Sequence, residues 1–165
     1  MKMNSRFAGS ILTIAALLLS AGPFAAAQAD VNPPGPNLIV GTWQVTITLR
    51  NCENGQQLAP PFQSLLTFGS EGTLVETTAN PGFYPAQRGP GHGDWNRSGI
   101  RAFTASSLAY VTLDGQLTMK QRIDQNIEFE GGPDKFHSVA TVEFFDPNDH
   151  LLKSGCATAD AVRYK

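Results

Sequence analysis

The sequence has too few cysteines for a disulfide scaffold or a zinc ribbon: two in 165 residues, with no CxxC element. Charged residues make up only 16%, and Lys plus Arg (12) fall below Asp plus Glu (14), so no basic field exists to hold nucleic acid. Three histidines with no HxH, HExxH or closely spaced pair exclude the common metal-site motifs, so no metal and no cofactor is expected. There is no GxSxG, no P-loop and no defensible Ser-His-Asp spacing, so no catalytic residue is assigned. Long apolar runs are also missing, except at the N-terminus. Nor does any segment show a 3.6-residue periodicity of helix length.

The N-terminal run has the form of an export signal. Lys2 and Arg6 are basic, residues 7–19 are mostly apolar, and Pro23 precedes the small residues Ala25, Ala26 and Ala27. Cleavage is expected after Ala27, with Ala29 as the alternative. The run is short for a span of about 20 residues, so no stable membrane anchor is expected. Residues 1–27 therefore read as a signal peptide, 28–37 as a Pro-rich leader and 38–165 as the folded domain. Without Lys2 and Arg6, ten Lys and Arg stand against fourteen acids, a net charge of −4 for a periplasmic or secreted product. An oxidising compartment favours pairing the two cysteines, Cys52 with Cys156.

What fills the domain is alternation. Trp43, Val45, Ile47 and Leu49 are apolar, while Gln44, Thr46, Thr48 and Arg50 between them are polar, the period of a half-buried strand. Further strands are predicted at 62–68, 73–78, 94–97, 102–113, 117–130, 136–146 and 151–165. The turns between them include Gly69-Ser70-Glu71-Gly72, Asp114-Gly115 and Pro147-Asn148-Asp149. Eight strands joined mostly by short turns form a meander, and such a meander closes into an antiparallel up-and-down barrel. Opposed residues in an antiparallel pair have a constant index sum. Placing Cys52 opposite Cys156 sets Leu49 against Ala159, Ile47 against Ala161 and Val45 against Arg163, so the first strand pairs with the last and the disulfide staples the closure. The turns at 69–72, 114–115 and 147–149 are then expected at one end of the barrel.

Gly41-Thr42-Trp43 at the start of the first strand resembles the Gly-x-Trp signature of lipocalins and the wider calycin group. The order GTW, NC, TF, GTL, RGPGHGDW, SGCAT is similar to that of a group of small exported bacterial proteins. In lipocalins a basic residue of the last strand packs over the Trp, a place that Arg163 matches. The resemblance implies a lipocalin-like barrel with Trp43 and Arg163 in structural roles and a small ligand in its lumen. The chain departs from the family in having no recognisable C-terminal helix and a smaller barrel.

Residues 80–95 are the compositional outlier, with three Pro, four Gly, Phe83, Tyr84, Arg88 and His92 in sixteen positions. Loops of this kind are often functional. The expected arrangement is a lid in which Phe83 and Tyr84 supply apolar contacts, Arg88 an anion partner and His92 a titratable donor. The alternative is a rigid connector with Trp95 as a core plug. Gln121 and Gln125 share the parity of Leu117, Met119, Ile123, Ile127 and Phe129, so they point to the lumen, where polar groups orient a guest. Tyr110, Arg101 and Glu143 could supplement them. His137 and His150 read as surface residues. Three functions are open: binding of a small apolar or amphipathic molecule, an isomerase- or cyclase-type enzyme, and a protein-binding barrel. The last resembles exported bacterial metalloprotease inhibitors, with the leader at 28–37 as the inserted segment.

Overall fold

The computed structural model describes residues 38–165, so the signal-peptide and leader assignments at 1–27 and 28–37 lie outside the described residues. The domain is a closed antiparallel barrel of eight strands with one short additional strand. The strands are β1 (Gly41–Arg50), β2 (Phe62–Phe68), β3 (Thr73–Thr78), β4 (Gln87–Arg88), β5 (Gly91–Arg97), β6 (Ala102–Leu113), β7 (Gln116–Phe129), β8 (Lys135–Phe145) and β9 (Leu151–Arg163). Around the barrel they run β6-β5-β3-β2-β1-β9-β8-β7, and β7 pairs back onto β6. The first strand does meet the last, as the meander requires.

The two-residue strand β4 prolongs the line of β5 along β6. Arg88 lies opposite Val111, the Gly89 amide donates to the Tyr110 carbonyl, and His92 lies opposite Leu108. Residues 80–95 are therefore not one long lid. Their second half is barrel wall, and only the stretch around a 3-10 turn at Pro81–Phe83 remains as a loop.

The closing register differs from the expected one by two residues. Arg163 lies opposite Trp43, Ala161 opposite Val45, Ala159 opposite Ile47 and Ala157 opposite Leu49. Cys52 is not on β1. The strand ends at Arg50, and the Asn51 side chain accepts from the Glu53 and Asn54 amides to bend the chain. That turn brings Cys52 to Cys156, which sits opposite Arg50, with 5.2 Å between the Cα atoms of the disulfide. Because the shift is an even number, every inward side chain stays inward. Leu117 is the exception to the expected parity. A bulge pairs Val111 with Met119 but Thr112 with Leu117, which turns Leu117 outward, 39% exposed.

The connections at 69–72 and 114–115 fall at opposite ends, since an odd number of strands separates them. The end that carries 69–72 is filled with aromatic rings. Trp43 is fully buried, its ring centroid 5.5 Å from Phe129 and 4.8 Å from Phe136, while Phe103 lies 5.7 Å from both Trp95 and Phe129. The indole N–H of Trp43 donates to the Ile39 carbonyl at 2.8 Å, and that of Trp95 to Gly69 at 2.9 Å, so neither buried donor is left unpaired.

Arg163 covers this plug, its guanidinium 4.2 Å from the Trp43 ring centroid. It donates to the carbonyls of Leu38, Val40 and Pro133 and to the Asp134 carboxylate, tying the segment before β1 to the β7–β8 turn. Gly41 is explained by the same residue. Its φ of +126° disfavours any side chain, and a Cβ there would come within 2.9 Å of the Arg163 Nη1.

Candidate functional site

Away from the plug, the inward side chains shrink. Along β8 the row runs Phe136, Ser138, Ala140, Val142, and along β9 it runs Ala161, Ala159, Ala157, Gly155. Small residues on adjacent inward rows cannot fill a barrel of this girth, and a cavity of about 390 Å³ results. That lies at the lower end of the range of small-molecule sites. It opens toward the disulfide end, where the exposed Leu58 lies on the rim with Arg50, Phe83 and Lys153.

The cavity walls are layered. Near the mouth they are apolar: Leu49, Phe62, Phe83, Met119 and Phe144, with the Phe83 and Phe144 rings 6.3 Å apart. Deeper lies a polar belt. Glu76 and Arg88 form an ion pair there, with side chains 5% and 1% exposed. The Arg88 Nε also donates to the Gln121 Oε1 at 2.7 Å, and its Nη1 to the Gly89 carbonyl at 3.0 Å. A buried pair of this kind is supported by further hydrogen bonds from the guanidinium, and here Gln121 and the Gly89 carbonyl accept two beside the one that Glu76 accepts. Gly91 makes the space: it sits opposite Glu76 in the β3–β5 register, and a Cβ on it would overlap the Glu76 carboxylate.

Gln125, Ser107 and Ser138 complete the belt. The hydroxyls of Ser107 and Ser138, and that of Thr78 higher on the wall, are buried without a hydrogen-bond partner among the described residues. Leaving such a group unsatisfied costs about 1–3 kcal/mol, so these hydroxyls are places where a guest or water gains by binding.

Of the residues singled out in the sequence, Phe83, Arg88, Gln121 and Gln125 line the cavity together. Arg88 reaches it from β4 and not from a free loop, and the carboxylate it meets is the chain's own Glu76. Three candidates lie elsewhere. Tyr84 is 88% exposed at the loop tip, while His92 and Tyr110 occupy the outer parity of β5 and β6 and face solvent. For His92 and Tyr110 the reason is parity: the inward rows of these strands are Gly91, Gly93, Trp95 and Phe103, Ala105, Ser107, Ala109, Val111. Arg101 caps the Phe129 and Gly132 carbonyls at the plugged end, and Glu143 pairs with Arg122 outside the barrel. His137 bonds Asp160 on the outer face, and His150 bonds Asp146 in the β8–β9 turn.

Glu76 was not singled out, although its parity with Leu74 marks it as inward. Ser107 and Ser138 carry the same signal, sharing the rows of Phe103 and Phe136. Among the described residues no group of three or more His, Cys, Asp or Glu is placed to hold a metal ion. The disulfide indicates an oxidising environment. The chain matches no family model and no curated protein. What the residues themselves establish is a lipocalin-like eight-stranded barrel, plugged at one end and hollow at the other.

Proposed function

We propose that this exported barrel binds a small, largely apolar or amphipathic molecule in its lumen. The observation that carries the reading is the run of small inward residues on β8 and β9, Ser138 and Ala140 beside Ala159, Ala157 and Gly155, which leaves a cavity with an apolar mouth and a polar belt. A chain whose interior served only stability would fill that space, because an empty cavity lowers stability by about 24 cal/mol per Å³. Export through the signal peptide at 1–27 accords with the disulfide and places the ligand outside the cytoplasm.

The test uses N-phenylnaphthylamine, an uncharged probe whose fluorescence rises in apolar surroundings. The full exported protein should bind it, and Ala140→Phe, which projects a ring from β8 into the lumen, should abolish the signal while far-UV circular dichroism stays that of the parent. Probe binding that is unchanged in the filled variant would overturn the reading. Native mass spectrometry of the protein purified from its own host should show a co-purifying small molecule.

A further inference from the structure

We infer that the lumen selects ligands with an uncharged hydrogen-bonding head, an alcohol or an amide, and places that head in the polar belt; the inference rests on the lumen-binding reading above. The charge on the belt decides the point. Arg88 would ordinarily mark a site for a carboxylate, but its guanidinium is already engaged by Glu76, Gln121 and the Gly89 carbonyl. Its charge is balanced within contact distance by a carboxylate that is itself buried. An incoming carboxylate would have to shed its hydration shell and lie beside Glu76 without gaining a free cation. An ammonium group would meet the matching opposition from Arg88.

What the belt leaves unspent is neutral hydrogen-bonding capacity. The Ser107 and Ser138 hydroxyls are 3% and 2% exposed and have no partner among the described residues, and each can donate or accept. Gln121 accepts from Arg88 through its oxygen, which leaves its amide N–H groups as donors. Gln125 lies on the same inward row two positions closer to the plug, beyond Ile123. These groups match a hydroxyl or a carboxamide in number and in sign.

Orientation follows from the same layers. Cationic side chains that could receive an acid stand only at the rim: Arg50, bonded to Thr158, and Lys153, whose ammonium lies 4.5 Å from the Phe144 ring centroid. An acid bound there would push its alkyl chain down onto the serines and glutamines. An alcohol or amide bound head-first keeps its chain against Leu49, Phe62, Met119 and Phe144 and its head on the belt.

The experiment is displacement of N-phenylnaphthylamine at neutral pH by decanol, decanamide and decanoate, which share a chain length and differ in the head. Decanol and decanamide should displace the probe at concentrations at least ~10-fold below decanoate, the scale of one well-made hydrogen bond set against an unpaired charge. The Ser107→Ala/Ser138→Ala variant should lose most of that preference, read within the one protein as the ratio of the decanoate to the decanol displacement concentration. Both substitutions shrink the side chain and remove an unpartnered hydroxyl, so folding is retained. Decanoate competing as well as decanol, or a preference that survives in the double variant, would overturn the inference while leaving lumen binding intact. Failure of the parent to bind the probe would overturn lumen binding, and this inference with it.

Discussion

The two ends of the barrel are built from the same strands by opposite choices of side chain. At one end β1, β6, β7 and β8 contribute Trp43, Phe103, Phe129 and Phe136, whose rings pack in edge-to-face and tilted pairs with Arg163 over Trp43. A few residues further along the inward rows of β6, β7 and β8 stand Ser107, Gln125 and Ser138, and beyond them Ala140, with Ala157 of β9 opposite it. Burying large rings stabilises the barrel by roughly 25 cal/mol per Å² of apolar surface removed from water. The hollow end forgoes that contribution and has the disulfide in its place. One end therefore holds the fold while the other is free to hold a guest.

Variants at the two ends should separate these tasks. The largest effect is expected at the plug, where Trp43→Ala should lower unfolding free energy by ~3–5 kcal/mol, since it removes a fully buried ring and its hydrogen bond to Ile39. A denaturant midpoint equal to the parent's would show that the plug is not where stability lies. Removing the disulfide with Cys52→Ser/Cys156→Ser should come next, at ~2–4 kcal/mol, because the bond closes a loop with a sequence separation of 104. Urea unfolding of both proteins would measure it, and a loss exceeding that of Trp43→Ala would reverse the ranking of the ends.

Gly91→Ala should have a smaller effect of ~1–3 kcal/mol, as the new methyl forces Glu76 away from Arg88. Unlike Trp43→Ala, it should also weaken probe binding in the lumen, and unaltered binding would detach the ion pair from the site. The smallest effect is expected at the β8–β9 turn. Asp146 has its pKa held below the ordinary value, first by the hydrogen bond from the His150 backbone N–H and then by the His150 side chain. A carboxylate lowered in the folded state adds stability above its unfolded pKa and loses it as pH falls through the folded one. Asp146→Asn should therefore differ from the parent near neutral pH and converge with it in strong acid. An NMR titration placing the Asp146 midpoint at or above its ordinary value would contradict this.

The contrast between the ends was half readable from the sequence. Parity marked Trp43 and Phe129 as inward residues, and an error of two residues in the closing register leaves parity intact. Gly-x-Trp also pointed to Arg163, and the contact between them accounts for the glycine. The hollow end was harder to read. Many of its inward residues are glycine, alanine and serine, which carry little hydrophobic signal, so Gly91 and Gly93 read as part of a long loop before the strand at 94–97. Arg88 was found because it stands out in an uncharged stretch. Glu76 was overlooked because a carboxylate among threonines reads as solvent-facing until its partner is placed beside it. The bulge that turns Leu117 outward has no sequence marker that alternation detects.

The division between a plugged end and a binding end is tested most directly by amide NMR of the isotope-labelled protein titrated with decanol. Resonances of Ser107, Gln121 and Ser138 should shift with a common saturation curve, while those of Trp43, Phe68 and Phe103 stay in place. Shifts confined to Tyr84, His92 and Tyr110 on the outer face, or no saturable shift at all, would contradict the account.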